Sequence, residues 1–281
     1  MVEVDTLFVL STVRDSYAVL DLLNSIEYFT TPATAYTVVV DGAGELSSLP
    51  QPNRRTVIHS VLDTLEPSYH RAMGVQWAID NGIVFKQAIL LSDTCLVCDG
   101  GLDQFFLPKL TKDGVGMLGV GARESYSDHW TAAVSAFYQA GLQVDGWSSP
   151  PPAMVDDCLL LSSAFVGAAR KQSLLVPDAG VAWPVGVGTY LSWVCHLIGF
   201  HAVSWGYADK CLPPLYVNYA AGSYLPPPHL LANIFLYSSV RNMLAYSESD
   251  IREMYKARRG EPARPVPRLA PVVTGPQVLD P

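Results

Sequence analysis

The chain has 281 residues, 49% of them apolar and 16% charged, with a net charge of −8 and a pI near 5.1. That length and composition can bury a full core and exclude a largely disordered chain; the acidity argues against a general affinity for nucleic acid. The five cysteines are an odd number set mostly among apolar neighbours, and they read as reduced, buried thiols of a cytoplasmic protein.

At the amino terminus, Val2-Glu3-Val4-Asp5 is acidic and unlike a secretory signal. Thr6 to Thr12 is apolar and β-rich, a first strand. Val19, Leu20, Leu22, Leu23, Ile26 and Phe29 then recur at helical spacing, with Asp15 or Ser16 as the N-cap. Tyr36 to Val40 is a second strand ending at Asp41-Gly42, and Arg55 to His59 a short third. A helix is predicted from Ser68 to Asp80, closed by Asn81-Gly82.

The fourth strand is the most informative. Ala88 to Val97 is a continuous run, predicted to be buried on both faces, that carries Asp93. Ligand crevices in open parallel sheets lie beyond the carboxyl ends of the strands, and a buried carboxylate there needs a partner. Cys95 and Cys98 add C-x-x-C spacing, but no second pair or histidine pair completes a zinc site.

The second half is less regular. Val115 to Val120 reads as a strand, Asp128 to Ala140 as a helix, Ser148 to Pro152 as a loop and Asp157 to Gly167 as an apolar run. A helix from Gly188 to Ile198 and a strand from His201 to Trp205 follow, both expected to be buried. They lie in a stretch, 179–208, with no Asp, Glu, Lys or Arg. Pro184, His196 and His201 argue against a membrane span there, while peripheral membrane contact stays open. Ile234 to Tyr255 reads as helical. From Lys256 on, six prolines and several arginines predict an extended, disordered tail over 256–281. Strands alternating with helices predict an α/β protein with a parallel crossover sheet.

The order of these signals resembles the GT-A glycosyltransferases, family 2-like nucleotide-sugar transferases, over most of the chain. Thr6-Leu7-Phe8-Val9-Leu10-Ser11-Thr12-Val13-Arg14 resembles their opening strand and first nucleotide-binding loop. Val38-Val39-Val40-Asp41-Gly42 resembles the strand whose terminal Asp binds the nucleobase. Tyr69-His70-Arg71-Ala72 with Gly74 resembles the helix start near the diphosphate, and Leu91-Ser92-Asp93-Thr94 falls at the Asp-x-Asp metal motif. Tyr237-Ser238-Ser239-Val240-Arg241-Asn242 resembles a segment that follows the catalytic domain.

The resemblance implies one domain over 1–255, with a mostly parallel central sheet flanked by helices. Its nucleotide-binding half would span about 1–110 and its acceptor half about 111–255. It implies a UDP- or GDP-sugar donor and Mn2+ or Mg2+. Ser11, Thr12, Arg14, Asp41, Arg71, Ser92 and Asp93 would bind the donor, with Asp93 and His229 on the metal. The acceptor, whether glycan, lipid, protein or modified base, stays open; the mixed stretch from Arg123 to Trp130 is a candidate for its site.

Two departures stand out. Ser92 and Thr94 replace the two acids of Asp-x-Asp. In Trp183 to Ser192, Val187 and Gly188 occupy the acidic positions that supply the base in inverting members. Glu124, Asp128, Asp156 and Asp157 are the remaining candidates for that base. The alternatives are a domain that binds nucleotide sugars without catalysis, and a membrane-associated protein anchored by 179–208.

Overall fold

The computed structural model describes residues 1–12, 19, 22–24, 26–27, 30, 34–42, 54–59, 67–92, 95–97, 102–121, 127–142, 144, 154–204, 216–218 and 236–238. Arg14, Asp93, Glu124 and His229 lie outside these residues, as do the 148–152 loop and the 256–281 tail.

Ten strands are described: β1 (Val2–Thr12), β2 (Ala35–Asp41), β3 (Arg55–His59), β4 (Ile83–Ser92), β5 (Cys95–Val97), β6 (Val115–Gly121), β7 (Met154–Ser162), β8 (His201–Ser204), β9 (Tyr216–Asn218) and β10 (Leu236–Ser238). The helices are α1 (His70–Asp80), α2 (Leu102–Leu110), α3 (Ser127–Gln139), α4 (Ser163–Lys171) and α5 (Val187–Leu197). Seven strands form one mixed, mostly parallel sheet in the order β3-β2-β1-β4-β7-β6-β8, flanked by helices.

The sheet's middle is dry because both of its faces are covered. Leu7, Val9, Val38, Val40, Ala88, Leu90, Leu159 and Leu161 pack under α1, α4 and α5. The alternate residues Phe8, Leu10, Val39, Ile89, Leu91 and Leu160 pack on the other side. There they meet Val19, Leu22, Leu23 and Ile26, which lie in helical conformation, and Phe106 and Leu110 of α2. This two-sided burial is why the strands read as continuous apolar runs. A buried polar tie crosses the second layer: Gln87 of β4 donates to Thr6 Oγ1 at 2.9 Å and to the carbonyl of Asp103 in α2.

The aromatic residues join α3 to α5. Phe137 stacks on Trp193, with centroids 5.3 Å apart, and on Tyr190 at 5.9 Å, while Trp183 meets it edge-on at 5.2 Å.

The sheet is mostly parallel, as expected, with β7 antiparallel to both β4 and β6. Three expectations are corrected. The run from Ala88 to Val97 is not one strand. β4 spans Ile83–Ser92, with Ser92 level with Ser11 near the end of its neighbour β1. Cys95–Val97 instead pairs with β10 in a separate three-stranded sheet. Leu236–Ser238, expected to be helical, is therefore a strand, stabilised by that distant partner. Finally, β8 is not buried: it is an edge strand on which His201 and Val203 are exposed.

No described helix is long and apolar enough to cross a membrane. The helix within the charge-free stretch, α5, has 11 residues, about 16 Å against the roughly 30 Å of a bilayer core.

Candidate functional site

The sheet order reverses between β1 and β4: β1 has β2 on one side and β4 on the other, all parallel. In such sheets the crevice for a ligand opens beyond the carboxyl ends at the reversal. The register sets a row of polar residues along that edge. Asp41 stands level with Thr12 on one side and His59 on the other, and Ser11 stands level with Ser92. Asp41 is 1% exposed and Ser11 5%, so both are held in the rim of the core.

β7 adds to this edge because it runs backwards. Its pairing with β4 ends at Leu91 opposite Cys158. The amino end of β7, with Asp156 and Asp157, thus meets the carboxyl end of β4. Asp128 is the second residue of α3, which follows β6 in the chain.

α1 starts here too, since it follows β3 and runs back to the start of β4. It presses close to the sheet at Gly74, where an added Cβ would lie 2.5 Å from Val9 Cγ1 and 2.9 Å from Val40 Cγ2. The Pro67–Tyr69 turn leads into it. Arg71 is 2% exposed, and its Nε donates to the Ser68 carbonyl at 3.4 Å. A guanidinium buried this deeply is costly without compensating hydrogen bonds and negative charge, and Arg71 is engaged beyond this one bond.

The start of α5 is fastened to the same turn. The backbone N–H of Val187 donates to Ser68 Oγ at 3.1 Å, and the Tyr69 hydroxyl donates to the carbonyl of Val185. Tyr69 and Tyr190 meet edge-on at 5.7 Å. Tyr190 in turn donates to the Leu174 carbonyl at 3.0 Å. Burial, then the nearby Asp178, pushes its hydroxyl well above the ordinary range. Asp178 shapes the approach to α5, accepting from Gly180 N–H at 2.8 Å and from Trp183 Nε1 at 3.0 Å. The two positions where the resemblance expects acids, Val187 and Gly188, are both buried in the first turn of α5.

Of the residues singled out from sequence, Ser11, Thr12, Asp41 and Ser92 lie at strand ends on this edge, Asp156 and Asp157 lie in the first half of β7, and Arg71 and Asp128 lie in the first turns of α1 and α3. Ser68 and His59 were not singled out. Ser68 looks like an ordinary helix start, and only the approach of α5 gives it a second partner. Among the described residues no group of three or more His, Cys, Asp or Glu gathers as a metal centre.

No protein-family model matches the sequence, and no curated protein does. Solved structures that it is similar to include a mannosyltransferase from Pyrobaculum calidifontis in complex with GDP-Man and Mn2+, at 11% identity and a TM-score of 0.44; the similarity covers 92% of this chain and 65% of that one. Mouse xyloside xylosyltransferase 1, apo form, is similar at 11% identity and 0.44, covering 87% of this chain and 100% of that one. A glycosyltransferase involved in the glycosylation of the major capsid of PBCV-1 is similar at 10% identity and 0.46, covering 92% and 100%.

Proposed function

We propose that this protein transfers a sugar from a nucleotide-diphosphate donor, UDP- or GDP-linked, to an acceptor not yet identified. The observation that carries the reading is the polar row of Ser11, Asp41 and Ser92 across the β1/β4 reversal, beside the buried start of α1 with Arg71. It combines with the order of the glycosyltransferase-like motifs.

In this reading Asp41 accepts an N–H of the nucleobase, and Arg71 and Arg14 balance the charge of the diphosphate. Asp93, next in the chain after Ser92, and His229 are the proposed ligands of Mn2+ or Mg2+. Aspartates at this edge suit such a hard cation, which takes oxygen ligands. β7, which carries Asp156 and Asp157 before Cys158, runs antiparallel to β4, with Cys158 opposite Leu91. When bound, the cation supplies stabilisation of the leaving diphosphate. Glu124, Asp128, Asp156 and Asp157 remain the candidates for a base that takes the acceptor's proton.

A second reading rests on α5. Two buried residues without carboxylates, Val187 and Gly188, stand in its first turn, so the edge would bind a nucleotide sugar without transferring it. Incubation with a panel of nucleotide sugars, Mn2+ and simple acceptors, read as free nucleotide released, separates the two. Release that is lost in Asp93→Ala supports transfer. Binding with no release across the panel supports the binding domain, and absence of binding overturns both.

A further inference from the structure

Ser68 makes two connections from one turn. Its hydroxyl accepts from Val187 N–H at the start of α5, and its carbonyl accepts from Arg71 Nε at the start of α1. The residue is 8% exposed, so neither bond competes freely with bulk water. A buried N–H left without an acceptor is costly, and α5 is held to this turn for that reason. Tyr69 provides a parallel fastening through its ring hydroxyl, which donates to the carbonyl of Val185.

We propose that Ser68 is a positioning residue for the donor diphosphate: by anchoring the turn to α5, it fixes the carbonyl that orients the Arg71 guanidinium. The role rests on the transferase or nucleotide-binding reading above. It predicts a selective defect. Contacts to the nucleobase come from the end of β2, across the sheet edge, and do not pass through Ser68. Contacts to the diphosphate pass through Arg71 and do.

The test measures affinities of the full chain for UDP and GDP with Mn2+, and for the uncharged nucleosides uridine and guanosine, by calorimetry. Ser68→Ala is expected to weaken nucleoside diphosphate binding about tenfold while nucleoside binding changes by less than about twofold. Tyr69→Phe, which removes the parallel fastening, is expected to lower the melting temperature and leave the diphosphate-to-nucleoside ratio unchanged. Should Ser68→Ala not fold, Ser68→Cys, which keeps the volume and weakens the acceptor, is read in the same way. An unchanged ratio in Ser68→Ala, or an equal loss in Tyr69→Phe, overturns the positioning role and leaves the functional reading standing. If the wild-type chain binds neither diphosphate, the functional reading fails and the role of Ser68 falls with it.

Discussion

Gly74 of α1 lies so near Val9 of β1 that a Cβ on the glycine would sit 2.5 Å from Val9 Cγ1. This contact draws α1 onto β1 and β2 and places its first turn, with Arg71, at the sheet edge. Gly74→Ala therefore forces the helix outward or displaces a stiff β-branched side chain. The expected loss is about 1–3 kcal/mol, as for other overpacked cores, measured by urea unfolding. A neutral effect would show that α1 can lift without cost.

Gly167 in α4 predicts the opposite sign. A Cβ there meets nothing within 4 Å, so a glycine in the helix interior has no packing role within the fold. Gly167→Ala should stabilise by about 0.5–1 kcal/mol, because the unfolded chain loses freedom and the helix gains propensity. A loss of stability on the same urea curve would refute this.

Asp80 sets an acid-side dependence. A hydrogen bond from Gln76 is the largest effect and holds its carboxyl below the ordinary range; burial opposes it, and the hydrogen bond and charge of Arg170 add to the lowering. A depressed carboxyl contributes stability above the unfolded value, and the contribution is lost as pH falls through the folded one. The pair is exposed, so Asp80→Asn should cost only a few tenths of a kcal/mol near pH 7 and nothing near pH 2. Equal differences at both pH values would refute the assignment.

Cys195 and Tyr190 set the alkaline side. Burial raises both above their ordinary values of 9.0 and 10.0. The fold holds each neutral, so their stabilising contribution is whole below those values and falls away as pH rises beyond them. Unfolding by urea should become easier from about pH 9 upward, with the first part of the slope absent in Cys195→Ala. Native protein at pH 8 should also leave Cys158 and Cys195, buried among the described residues, unlabelled by a thiol reagent until it unfolds.

Asp41 offers a functional test. Asp41→Asn keeps the volume and removes the charge, so nucleotide affinity should fall about tenfold, the worth of a charge-assisted bond, with discrimination between UDP and GDP reduced. Unchanged affinity and discrimination would remove Asp41 from base recognition.

Much of the fold could be read in the sequence because it is local. Apolar runs marked β1, β2 and β6, helical spacing marked α1 and α5, and Asn81-Gly82 closed α1 as expected. α2 was missed: Leu102–Leu110 is short and carries Pro108, and it is held by packing on the sheet and by the Gln87 bond to Asp103. Of the candidate site, Asp41 could be placed at a strand end from the apolar run before it, whereas Ser11 and Ser92 were singled out by the resemblance of their segments to glycosyltransferase motifs. The roles of Ser68 and β7 were not legible, because both depend on partners distant in the chain.

By itself, then, the sequence determined the alternation of strands and helices and the acids at their ends, since periodicity and turn residues act within a few positions. The direction of β7, the pairing of Leu236–Ser238 with Cys95–Val97 and the fastening of α5 to Ser68 were decided by tertiary structure. Each is a backbone or hydroxyl partnership between distant segments, and a backbone donor carries no mark in the sequence of which acceptor it will find.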